Sequence, residues 1–233
     1  MKKYNLFSLL ALSCGVFLAG APAQAMAISD SGRAQESSPF ILAAANSAQQ
    51  AQSFIKNMAD RGIGFLGDAQ LTQAQRKDKF RSLLRSSYDM QIIGRFALGS
   101  YWRTATPQQQ AEFQKLFENM VVEVYAQRFS QYNGQKLEVR GADQQEDGDT
   151  MVHSVILPHD GGDEVSVDWR VRDRDGQPKV IDVIVAGVSM ALTQRSEFAS
   201  VIQRGGGSLD ALLQQMRTGK MTAATPDKAS SKK

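Results

Sequence analysis

Along the first half of the chain, apolar residues recur every third or fourth position, the spacing that places them on one face of an α-helix. From Ser47, Ala51, Phe54, Ile55 and Met58 follow this rule, and the run closes near Gly62-Ile63-Gly64. Thr72-Gln73-Ala74-Gln75 reads as a capping box ahead of Phe80, Leu83, Leu84 and Tyr88. Asp89 can cap a short helix carrying Ile92, Ile93 and Phe96. Thr106-Pro107-Gln108-Gln109 supplies an N-cap, a proline at the first helical position and a glutamine three residues after the cap. Phe113, Leu116, Phe117, Met120, Val121, Val124, Tyr125, Phe129 and Tyr132 then predict a long amphipathic helix that Asn133-Gly134 stops.

Beyond Gly134 the period drops to two. Leu137 and Val139 alternate with charged residues, Met151 to Leu157 is rich in β-formers, and Val165, Val167, Trp169 and Val171 alternate with Ser166, Asp168, Arg170 and Arg172. Val180 to Val185 is a fourth run. Turn residues at 141–149, 159–162 and 173–176 separate them, which predicts a four-stranded antiparallel meander. Helix returns from Met190 to Gln203, breaks at Gly205-Gly206-Gly207, and ends in a Ser208-capped segment reaching Arg217. The order implies an α+β fold, with helices packed on one face of the sheet.

The ends change the picture. Lys2 and Lys3 precede an apolar run from Leu6 to Ala21, and Ala23-Gln24-Ala25 follows as a small-x-small exit, the layout of a secretory signal peptide over residues 1–25. Ser8, Ser13, Gly15, Gly20 and Pro22 interrupt that run too often for a membrane anchor, which needs about 20 apolar residues. Cys14 is the only cysteine, so cleavage near Ala25 leaves a chain without disulfides, a thiol nucleophile or thiolate metal ligands. Residues 26–46 read as a small, polar, disordered lead-in, 47–217 as the single domain, and 218–233 as a basic disordered tail. The formal charge of +3 is a property of those ends. Arg217, Lys220, Lys228, Lys232 and Lys233 face only Asp227 at the C-terminus, so the body is slightly acidic and nucleic acid is not an expected partner.

Catalytic chemistry is sparse. His153 falls in a strand and His159 in a turn, without ligand-spaced companions, and no G-x-S-x-G, Walker, Rossmann or H-E-x-x-H pattern occurs. Asp143, Glu146, Asp147 and Asp149 lack the alternation and closing glutamate of a calcium loop and read as an exposed acidic turn. Asp182 sits between Ile181 and Val183 beside the Asp168 strand. By alternation it belongs to the polar face, although a desolvated carboxylate there, paired with Tyr125, would suit an NTF2-like isomerase or hydrolase. A third reading makes every apolar stripe filled core in a ligand-free interaction protein.

The segments Asp89-Met90-Gln91-Ile92-Ile93-Gly94-Arg95-Phe96-Ala97-Leu98-Gly99 and Tyr101-Trp102-Arg103, with Gln110, Phe113 and Phe117 on the helix from Thr106-Pro107, resemble the MlaC/toluene-tolerance family. So do Val180 to Val185, Gly187-Val188-Ser189-Met190, Gln194-Arg195-Ser196-Glu197-Phe198 and the stretch from Gly206 to Leu213. The wording from Ser189 to Phe198 is similar to the hopanoid-associated HpnM branch. The resemblance implies a non-enzymatic periplasmic carrier, without cofactor or metal, that holds phospholipid or hopanoid acyl chains in a cavity between sheet and helices. It also implies partners: an outer-membrane lipoprotein complex and an inner-membrane ABC transporter with its substrate-binding hexamer, which together maintain outer-membrane lipid asymmetry. On this expectation the pocket lies between the Phe113–Phe129 stripe and the Val165–Val171 face, closed by Ile93, Phe96 and Trp102. The candidate lining residues are those three with Leu84, Tyr88, Phe113, Phe117, Met120, Val121, Val124, Tyr125, Val165, Val167, Trp169, Val183, Val185 and Val188.

Overall fold

A computed structural model describes residues 39–221, so the expected signal peptide, most of the lead-in and the end of the basic tail lie outside the described residues. Helix α1 runs from Pro39 to Gly67, longer at both ends than the apolar spacing predicts. Residues 39–46, expected in the lead-in, are therefore helical: proline is favoured at the start of a helix, and the Leu/Ala-rich segment after it has high helix propensity. At the other end the helix carries through Gly62 and Gly64, because packing of α1 on the sheet outweighs the modest helical penalty of glycine. Helices α2 (Gln73–Ser87), α3 (Met90–Leu98), α4 (Tyr101–Thr104) and α5 (Pro107–Ala126) follow. Thr72 and Thr106 both form complete capping boxes, and the Asp89 carboxylate accepts from the Ile92 amide at 2.9 Å. The α5 stripe was expected to continue to Tyr132, but the helix ends at Ala126 and a 3-10 turn occupies Phe129–Gln131.

The sheet is an antiparallel meander of five strands: β1 (Lys136–Gln144), β2 (Thr150–Leu157), β3 (Val165–Arg174), β4 (Gln177–Val185) and β5 (Val188–Ser189). The fifth strand, absent from the four-strand expectation, arises at Ala186-Gly187. Both residues have positive φ, 49° and 78°, and Val185 pairs with Val188 across them. Asp175-Gly176 turns β3 into β4 in the same manner, with φ of 55° and 76°, the geometry of a tight primed turn. Helices α6 (Met190–Arg204) and α7 (Leu209–Arg217) close the chain.

Register puts one apolar row across the sheet: Leu137, Val139 and Ala142, then Val152 and Ser154, then Val167, Trp169 and Val171, then Val180, Val183 and Val185. A bulge between Val139 and Gly141 and another near Arg170 keep the row in step where strict alternation would lose it. Helices α1 and α2 cover this row, giving a core built on Ile55, Met58, Leu83, Val152, Val171 and Val180. A second core forms among helices alone. There Phe113 and Phe117 stack at 5.7 Å, and Phe198 meets both edge-on, with Leu98, Ile202, Leu212 and Leu213 around them.

Candidate functional site

Where α1, α2 and the end of α5 converge, the helices and the turn after α5 leave an open cavity of about 330 Å³. Its walls are Phe65 and Leu66 from α1, Phe80 and Leu83 from α2, Tyr125 from α5, and Phe129 and Tyr132 from the turn beyond. The rings meet each other at defined angles. Phe80 and Phe129 are edge-to-face at 5.3 Å, Phe65 and Phe129 at 6.2 Å, and Phe80 and Tyr125 are tilted at 5.9 Å. Gly62 contributes bare backbone to the wall; a Cβ there would sit 3.6 Å from Leu83. Arg128, Gln131 and Gln135 are the polar members of the lining. Tyr88, Trp169 and Val183 pack against the neighbouring sheet-side core. Burial, reinforced by nearby Tyr125, drives the Tyr88 phenol well above the ordinary tyrosine range, so it stays neutral. An apolar wall with a polar fringe suits a ligand that is apolar along most of its length.

Of the expected lining residues, the structure brings Tyr125 into this cavity and seats Tyr88, Trp169 and Val183 in the core beside it. Val167 and Val185 share the inner row with Trp169, and Val165 and Val188 are half-buried at the ends of their strands. Leu84 is buried on α2. Phe113, Phe117 and Met120 are not brought to the cavity: α6 and α7 fold over that face of α5 and make it solid core, with Ile93, Trp102, Val121 and Val124 packed at its edge. Phe96 and Trp102 line a separate surface depression with Ile92, Arg95, Gly99, Ser100, Arg103 and Arg195. Sequence reasoning missed Phe65, Leu66, Phe80, Phe129 and Tyr132 as cavity residues. The end of α5 just before Phe129 is a signal that only the folded chain supplies.

Three polar clusters differ from their expected settings. Asp182 is not an exposed carboxylate. Its Oδ1 accepts from the Val183 and Ala191 amides at 2.8 and 3.1 Å and its Oδ2 from the Ser189 hydroxyl at 2.6 Å, so it ties β4 to the start of α6. Tyr125 lines the cavity, and Asp182 is not among the residues that line it. Asp149, expected in an exposed acidic turn, is 1% exposed and bridges Arg172 at 2.6 Å and Arg170 at 2.7 Å; Arg170 also reaches Asp147. Burial opposes ionisation of Asp149, but the two guanidiniums outweigh it and hold its carboxyl below the usual range. His153, which has no carboxylate close in sequence, stands between two in space: one ring nitrogen is 2.9 Å from Asp168 and the other 3.0 Å from Asp143. The Asp168 bond raises its pKa, partial burial works against this, and Asp143 adds to the rise. Among the described residues no group of three or more His, Cys, Asp or Glu side chains is arranged to hold a metal ion. No described helix is long and apolar enough to cross a membrane.

The chain is similar to several known proteins. A family model described as MlaC protein matches residues 56–218. The intermembrane phospholipid transport system binding protein MlaC of Haemophilus influenzae is 26% identical over 194 residues, 78% of this chain and 82% of that protein. The toluene tolerance protein ttg2D of Pseudomonas putida is 31% identical over 110 residues, 47% of this chain and 51% of that protein. Among solved structures, the phospholipid-binding protein of Ralstonia solanacearum in complex with a phospholipid superposes with a TM-score of 0.63 at 25% identity, covering 72% of this chain and 96% of that one.

Proposed function

The chain belongs to the MlaC protein family, and from that premise we propose that it carries phospholipid through the periplasm, with acyl chain entering the opening among α1, α2 and the end of α5, beside the inner row of the sheet. The observation that carries this reading is the aromatic cavity of about 330 Å³, apolar in its depth and polar where Arg128, Gln131 and Gln135 border it. Exposing an acyl chain of about 16 carbons to water costs roughly 13 kcal/mol at ~0.8 kcal/mol per methylene. A carrier that crosses water must therefore enclose the chain, and it needs few directional bonds to do so. The cavity lies at the small end of the range for ligand sites, about 300–1,000 Å³. A two-chain lipid enters only if α1 and α2 move off the row formed by Val167, Trp169, Val183 and Val185. Loading and release are then docking events between an outer-membrane lipoprotein complex and an inner-membrane transporter, with no bond made or broken in the cargo.

The test is mass spectrometry of the organic extract from natively purified protein, beside a Gly62→Trp variant that places an indole in the cavity. Phospholipid near one molecule per chain in the wild type, lost from a variant that keeps its helical circular dichroism, is the expected outcome. An extract empty of lipid from the wild type sinks the carrier reading. Hopanoid in place of phospholipid moves the cargo to the other lipid class, and equal lipid in both proteins moves the seat elsewhere.

A further inference from the structure

We propose that the depression between α3, α4 and the first turns of α6 docks an acidic segment of a partner protein that carries an apolar side chain between its carboxylates. Three arginines line it, Arg95, Arg103 and Arg195, and no carboxylate is among its lining residues. No ion pair is formed by any of the three among the described residues; Arg61, Arg76, Arg174 and Arg204 form none either, but only Arg95, Arg103 and Arg195 share one depression. Cations gathered on one surface without counter-charge make a positive patch, which favours a complementary anionic segment.

The apolar part of the partner is inferred from the same surface. Among the described residues only two large hydrophobic side chains are exposed, Phe96 at 40% and Leu192 at 55%. Arg195 joins them: its guanidinium lies 5.4 Å over the Phe96 ring, and it stands one helical turn beyond Leu192 on α6. The Arg195 side chain also passes where a Cβ on Gly99 would sit, at 2.8 Å, so any larger residue at Gly99 would displace it. A planar guanidinium held over an aromatic ring is set up to grip a carboxylate with two parallel bonds.

Concavity decides between occupants. The depression is open and has room for about 440 Å³, which suits the protruding side chains of a partner segment better than the flat phosphate plane of a bilayer. The chain's own tail is basic and is a poor fit to three arginines. The depression is also remote from the cavity. Gln110 holds the Trp102 carbonyl at 2.8 Å at one end of α5, and Tyr125 lines the cavity at the other, about 22 Å away at 1.5 Å per residue. A partner can therefore sit on the arginines without blocking the cavity.

The experiment is an NMR titration of the isotope-labelled full chain with a synthetic peptide in which Leu and Phe lie between pairs of Glu. Expected are saturable amide shifts confined to residues 92–103 and 192–195. These should vanish at high salt and be absent with a peptide carrying Gln for every Glu. Arg103→Glu and Arg195→Glu should each weaken binding by about tenfold or more, the scale of one hydrogen bond to a charged group. Shifts that scatter over the surface, or that survive both charge reversals, overturn the proposal. So do phosphatidylglycerol vesicles that perturb these amides when the peptide does not, since the occupant is then a bilayer. The salt and Gln-peptide arms use unmodified protein and stand even if a variant misfolds. No residue of the arginine depression lines the lipid cavity, so this titration can fail while lipid still co-purifies, and the reverse.

Discussion

His153 shows how much a single side chain depends on residues far from it in sequence. It bridges β1 to β3 through Asp143 and Asp168, and its folded pKa is raised chiefly by the Asp168 bond and further by Asp143. Its stabilising contribution is therefore complete below the unfolded histidine value of about 6.5 and fades as pH climbs through the higher folded value. Urea unfolding of wild type beside His153→Gln should show a gap that is widest in mildly acidic solution and closes on the alkaline side. Asp168→Asn should also shift the ring titration of His153 downward in an NMR experiment. A gap that does not change with pH would show that the imidazolium bridges are too solvated to matter. None of this was legible in the sequence, where His153 has only Ser, Val, Met and Thr as near neighbours. The bulge between Val139 and Gly141 decides that Asp143 faces the ring, and a bulge leaves no mark in an apolar pattern.

At the level of elements, what was legible was what is local. Thr72, Asp89, Thr106 and Ser208 each cap a helix within three residues of themselves, and each is visible as a residue type at a spacing. Period two marked the strands for the same reason. The partner of each face was not legible: Phe113, Phe117 and Met120 would suit a lipid cavity or a helical core equally well, and only the return of α6 and α7 makes them core. Asp182 belongs to this scale. It fastens β4 to α6, so Asp182→Ala should lower stability by about 1–2 kcal/mol, the range for losing a helix-start acceptor with its bonds. Denaturant unfolding measures this, and lipid content measured on the same sample should be unchanged. Loss of lipid at unchanged stability would contradict the fastening role.

The whole molecule combines a solid core and an incompletely filled one. The helical core is closed around Phe198, with Phe113, Ile202 and Leu212 fully buried. The sheet-side core keeps an opening at Gly62 and Phe80, where wall atoms lack the close neighbours that dispersion would reward. An empty carrier should thus be less stable than its framework allows. Gly62→Trp fills the opening and also removes a glycine from a helix interior, and the two effects together are worth about 1 kcal/mol. Stripped of lipid, the variant should melt roughly 2–4 °C above the equally stripped wild type for a domain of this size. Differential scanning calorimetry decides, and a lower melting point would mean that the indole overpacks the wall.

Ser154 has a further consequence. Its hydroxyl donates to the Val167 carbonyl at 2.7 Å and receives the indole N–H of Trp169 at 2.9 Å, so the ring is held in one attitude on the inner row of the sheet. The chain has only one other tryptophan, Trp102, which lines the arginine depression. With Trp102→Phe, all indole light comes from a fixed fluorophore beside the proposed path of the acyl chain. Arrival of cargo in the neighbouring opening lowers the polarity near that ring and should move its emission to shorter wavelength. The scaffold thus contains its own optical gauge, through which filling and emptying can be timed in a stopped-flow instrument without attaching a dye.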